Sequence, residues 1–125
     1  MTSDWRATGL DVGDKLKVSA SALDDLERIY EHLVDANRLF GHSFSEADAR
    51  AKSRIDKLLD AVSGLQRSPL RGTRRPQLGE RVRFIAFERS VVWFEVDQAR
   101  REVHVLAIFH GGEDHQARMI RRLKR

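Results

Sequence analysis

The stretch RVRFIAFERSVVWFEVDQARREVHVLAIFH, residues 81–110, decides the fold. It consists of three short runs rich in Val, Ile, Phe and Trp, separated by two charged breaks. These side chains suit a pleated, half-buried surface better than a helix. Glu88-Arg89 is short enough for a tight hairpin, although it lacks the Gly or Asn that primed turns prefer. The break 97–101 suits a longer hairpin loop. The stretch therefore predicts a three-stranded antiparallel meander.

Alternation assigns the faces of its strands. Val82, Phe84 and Ala86 share one face, and Arg81, Arg83, Ile85 and Phe87 share the other. In the last strand, Val103, Val105, Ala107 and Phe109 are expected to oppose His104, Leu106, Ile108 and His110. Neither face is fully polar. One needs cover from the rest of the chain, and the other, mixed apolar, Arg and His, is expected to meet a partner.

Upstream, residues 68–80 read SPLRGTRRPQLGE, with two Pro, two Gly and three Arg in 13 residues. Pro69 and Pro76 argue for a loop, and Arg71, Arg74 and Arg75 make it the first dense basic cluster. Before it lie two amphipathic helical patterns. Leu23, Leu26, Ile29, Tyr30, Leu33 and Phe40 recur at three- and four-residue spacing after a start at Ser19 or Ser21. Asp24, Asp25, Glu27 and Glu31 are expected to favour the positive end of that helix. Gly41 is its stop signal. Ser43 to Glu46 reads as a capping box opening a second helix, whose stripe is Ala51, Ile55, Leu58, Leu59, Val62 and Leu65. Joined by a few residues, the two predict a helical hairpin over 19–67.

Lys15-Leu16-Lys17-Val18 alternates like a short strand. Residues 1–13 are polar, contain Gly9 and Gly13, and are expected to form a flexible leader. After Gly111-Gly112, residues 113–124 predict a last helix ending in Arg118, Arg121, Arg122 and Lys124. The expected architecture is an α+β domain over 14–125, in the order β-α-α-β-β-β. Its helical hairpin packs on a small antiparallel sheet, with a basic C-terminal helix.

The 125 residues suffice for one domain with a real core, and the absence of Cys excludes disulfides and cysteine-ligated zinc. No apolar run approaches the ~18 residues that span a membrane, and no signal-type segment opens the chain, so a cytoplasmic location is expected. The net charge of +4 hides an asymmetry. Residues 1–65 carry 9 Lys/Arg against 12 Asp/Glu, whereas residues 66–125 carry 14 against 7, and 13 of those 14 are Arg. Such an Arg-rich half suits an anionic partner, because guanidinium pairs bidentately with carboxylate and phosphate.

Few residues suggest catalysis. No HExxH motif, nucleophile elbow or phosphate-binding Gly loop occurs, and no metal or cofactor is expected. GGED at 111–114 lacks the surroundings of a nucleotide-cyclising site. Asp114 is expected to cap the last helix and to hydrogen-bond His110. Phosphodiester cleavage needs an acid, a base and cationic stabilisation, which Arg83, His104 and His110 contain between them.

Ala22, Asp25, Leu26 and Ile29 in the first helix are followed by Leu65, Pro69, Gly72, Arg75, Leu78 and Gly79. Arg83 and the run VHVLAIFHGGED (103–114) complete a pattern that resembles the RelE/ParE toxin superfamily of toxin–antitoxin modules, closest to its ParE-like branch. Where the family usually has an Arg within the last strand, this chain has Ala107. The resemblance implies a cognate antitoxin that wraps and neutralises the toxin, and growth inhibition through a protein target, DNA gyrase for ParE-type members. The alternative it implies is ribosome-dependent mRNA cleavage, as in RelE-type members, through Arg83, His104 and His110. An inactive antitoxin-binding homologue is the third reading. Candidate contacts with antitoxin or target are Arg71, Arg74, Arg75, Arg81, Arg83, Arg118, Arg121 and Arg122.

Overall fold

The computed structural model describes residues 16–111 and 114–124. The expected leader 1–13, Lys15, the Gly112-Glu113 pair of the GGED run and Arg125 lie outside the described residues. The chain runs β1 (Leu16–Val18), α1 (Ala20–Leu39), α2 (Phe44–Ser63), β2 (Thr73–Arg74), β3 (Val82–Phe87), β4 (Ser90–Asp97), β5 (Glu102–His110) and α3 (His115–Leu123). The α+β order expected from the sequence is the one observed. The sheet has five strands in the order β1-β5-β4-β3-β2. It is antiparallel except at one edge, where β1 joins β5 in parallel, Leu16 opposite Val103. The arginine-rich loop contributes the other edge, the two-residue β2 that pairs with β3.

Local signals set the hairpin. Ser19 caps α1, its Oγ accepting the Ala22 N–H at 3.0 Å. Gly41 takes φ 95 just past the helix end, a conformation that suits a residue without Cβ. The capping box forms in both directions: Glu46 N–H donates to Ser43 Oγ at 3.2 Å, and Ser43 N–H donates to Glu46 Oε1 at 3.0 Å. Leu26, Ile29 and Val34 of α1 and Ala51, Ile55, Leu58 and Val62 of α2 then bury their stripes against Val92, Phe94, Val96, Val103, Val105 and Ile108 of the sheet. Tyr30 is also buried and donates a short hydrogen bond to Asp48, clamping the two helices together. Burial and that carboxylate push the Tyr30 phenol up to about 12.

The expected alternation along the last strand breaks at Leu106. Trp93 pairs with Ala107 but Phe94 pairs with Val105, which leaves Leu106 as an unpaired bulge residue. Val103, Val105 and Ile108 therefore face the hairpin, while Ala107 and Phe109 face away. The irregularity follows from what borders β5. Beyond β1, Ser19 N–H donates to Val105 O at 3.0 Å and Ser19 Oγ to Leu106 O at 3.2 Å, and Asp25 Oδ2 accepts the Ile108 N–H at 2.9 Å. The start of α1 thus satisfies the strand edge where β1 stops.

The second face was expected to await a partner; the chain covers part of it with its own C-terminal helix. Met119 of α3 is fully buried among Val82, Val91, Trp93, Ala107 and Phe109. The two-residue hairpin between β3 and β4 forms as expected, with Glu88 at φ 54 in place of a Gly or Asn.

Candidate functional site

The basic loop is positioned by a close backbone approach. Gly72 has φ 83, and a Cβ there would lie 2.4 Å from the Phe84 carbonyl oxygen. Only Gly lets the loop press this closely on β3. The approach sets Arg74 opposite Arg83, and the Arg75 N–H donates to Val82 O at 3.0 Å. Arg74, Arg81 and Arg83 line one groove of about 790 Å³, together with Leu70 and Asp97. Arg83 Nη1 donates to Leu70 O at 2.9 Å, and Arg81 Nη1 lies 3.4 Å from Asp97 Oδ2. The Arg100 backbone N–H, and then the Arg81 charge, hold Asp97 below the usual carboxylate range. Asp97 stays ionised and offsets part of the positive field. Arg71 lies on the far side of the loop, near Gly64 at the end of α2.

The other predicted basic residues take different posts. Arg75 donates a short hydrogen bond to Gln116 of α3. The Arg118 guanidinium sits 4.5 Å above the Phe109 ring, and Arg122 lies 5.0 Å from the same ring. Arg122 also binds Asp25 through two hydrogen bonds of 2.7 and 2.9 Å, so it is drawn into an internal ion pair. Arg121 is exposed on α3. Asp25, expected to serve the helix dipole, is instead 3 % exposed, and the first turn of α1 holds no acidic residue.

Arg83, His104 and His110 are not brought together. The bulge leaves His104 on the face away from the hairpin, between Glu95 at 3.7 Å and Glu102 at 2.9 Å. His110 lies on the hairpin face at the far end of β5, roughly 20 Å along the strand from His104. Its Nδ1 lies 3.1 Å from Ser90 Oγ, and its ring centroid is 5.6 Å from that of His32. Burial pushes the His110 pKa below its ordinary value, helped by His32 and by the charges of Arg54 and Arg89. The expected partner Asp114 does not take this place. It precedes α3 with a left-handed backbone at φ 52, not the extended conformation of a capping residue, and makes no side-chain capping bond; Ser90, directly opposite His110 in the ladder, takes the ring instead.

His32 and Ser90 escaped the sequence reading. His32 lies seven residues after Asp25, on the same helical face, and that spacing was the available signal. Among the described residues no group of three or more His, Asp or Glu could hold a metal ion. No helix there is long and apolar enough to cross a membrane.

The family described as the ParE toxin of type II toxin–antitoxin systems, parDE, matches residues 16–115. The chain belongs to the ParE toxin family. The match begins at β1 and ends at the first residue of α3, so it takes in the hairpin, the basic loop and the whole meander. No curated protein matches the sequence. Among solved structures, a chain from the chromosomal ParDE TA system of P. aeruginosa is similar in fold. Its TM-score is 0.60 at 24% identity, over 80% of this chain and 98% of that one.

Proposed function

We propose that this ParE-family protein is a cytoplasmic toxin that arrests growth by binding a protein target, DNA gyrase, and that a cognate antitoxin neutralises it. The observation that carries the reading is the family match across the β-α-α-β-β-β unit, from residue 16 to residue 115. The groove of Arg74, Arg81 and Arg83 supports it as a contact surface, since clustered guanidinium groups suit acidic protein segments. The similar fold in the chromosomal ParDE TA system of P. aeruginosa supports an antitoxin as the partner.

The geometry favours binding over phosphodiester cleavage. Acid, base and cation must converge within hydrogen-bond reach of one phosphate, and Arg83, His104 and His110 are spread over both faces of the sheet. The only Tyr in the chain, Tyr30, is committed to Asp48. Purified toxin added to gyrase and relaxed plasmid should reduce supercoiling in a dose-dependent way, and the antitoxin should restore it. Unaffected supercoiling, with transcripts cut on translating ribosomes instead, would replace this target with messenger RNA.

A further inference from the structure

Between α1, the end of β5 and α3 lies an open cleft of about 300 Å³, distinct from the arginine groove beside β2. Ile29 and Ile108, both buried, form its floor. Arg28 and His32 of α1, His110 of β5 and Arg118 of α3 stand around it. Residues 25, 28, 29 and 32 share one helical face, which explains why α1 supplies a whole wall.

The charge of this cleft is unbalanced. Its one lining carboxylate, Asp25, already accepts two hydrogen bonds from Arg122 and one from the Ile108 N–H. Arg28 Nη1 approaches Asp25 Oδ1 only to 3.7 Å, and its side chain is 69% exposed. The Arg118 guanidinium is steadied over the Phe109 ring at 4.5 Å, and it too lies on the exposed side of α3. Two guanidinium groups and two imidazoles thus flank an apolar floor whose only acid is neutralised within the protein.

An apolar floor with a cationic rim selects for a particular ligand. A phosphodiester backbone gains nothing from Ile29 and Ile108. The exposed Glu31 and Asp35 on α1 would also repel a long polyanion running past the cleft. A peptide that sets an aliphatic side chain beside a carboxylate uses both features.

We propose that this cleft seats an acidic residue of the antitoxin's toxin-binding segment, its carboxylate between Arg28 and Arg118 and a neighbouring aliphatic side chain on Ile29 and Ile108. The proposal rests on the toxin–antitoxin reading. It adds the chemistry of the partner and the place where it docks.

The test is titration calorimetry of the full chain with the polypeptide encoded beside it. Arg28→Glu and Arg118→Glu should each weaken binding about 10-fold or more, and the double variant further still. Arg28→Gln and Arg118→Gln, milder changes at exposed positions, should weaken it in the same direction while thermal melting stays near wild type. Lys57→Glu, on the exposed face of α2, should change nothing. Replacing one acidic residue of the antitoxin by Lys should recover affinity for a Glu variant. Wild-type affinity in the folded double variant would overturn the proposal and leave the toxin–antitoxin reading standing. No binding by the wild-type chain would remove both.

Discussion

Asp25 of α1 and Arg122 of α3, 97 positions apart in the chain, form a two-pronged ion pair with N–O distances of 2.7 and 2.9 Å. The same carboxylate accepts the Ile108 N–H at the outer edge of β5. One side chain therefore joins the helical hairpin, the sheet edge and the C-terminal helix. Together with Met119 it accounts for how a helix of nine residues stays on the sheet. The Asp25 hydrogen bond also raises the Arg122 pKa above its ordinary value.

Removing either partner leaves the other short of its bonds. Arg122→Met should destabilise by about 2–4 kcal/mol, because Asp25 remains buried with the Ile108 N–H as its main donor. The double variant Asp25→Leu with Arg122→Met should lose less than the sum of the single changes. Urea unfolding of the four proteins in a double-mutant cycle measures that coupling. Additive losses would mean that the two residues act independently.

Two glycines with positive φ separate backbone strain from steric clash. Gly41→Ala meets nothing within 4 Å and should cost only the left-handed penalty, about 1 kcal/mol. Gly72→Ala adds a contact of 2.4 Å with the Phe84 carbonyl, so it should cost clearly more, at least about 2 kcal/mol. It should also disturb the pairing of Thr73 and Arg74 with β3. Denaturation midpoints, with amide exchange at Thr73 and Phe84, check both expectations.

What could be read from the sequence is what neighbouring residues determine. The Ser43–Glu46 box, the Gly41 stop and the helical stripes act within a few positions, and the observed hairpin follows them except at Phe40, which lies exposed just past the end of α1. Strand content in the meander was equally local. The faces of β5 were not. The bulge at Leu106 lies where β5 bonds to Ser19 and Asp25, which belong to another element, so strict alternation placed Leu106 correctly but misassigned Ala107, Ile108, Phe109 and His110. Asp25 looked like a dipole partner because Arg122 is remote in sequence. His110 was matched with the nearby Asp114, whereas the ladder sets Ser90 opposite it. The second face of the sheet looked open because Met119 gives no local sign of which surface it will cover.

Two half-buried histidines give stability a pH dependence of definite sign. The folded protein holds His110 below its ordinary value of 6.5, and burial does the same to His115, with the Arg75 charge adding to it. As pH falls through 6.5, the unfolded chain takes up these protons before the folded chain does. Stability should therefore be full above about pH 6.5 and drain away from there down to the folded pKa values, levelling off below them. His110→Gln should shrink that loss. Urea midpoints at intervals between pH 7.5 and 5 test this, and a wild-type curve that rises on acidification in that window contradicts it.

The toxin reading is tested most directly by growth. Cells induced to make this chain alone should stop dividing while the protein accumulates in folded form, and co-expression of the polypeptide encoded beside it should restore growth. Undiminished growth in cells that contain the folded, wild-type chain would contradict the account.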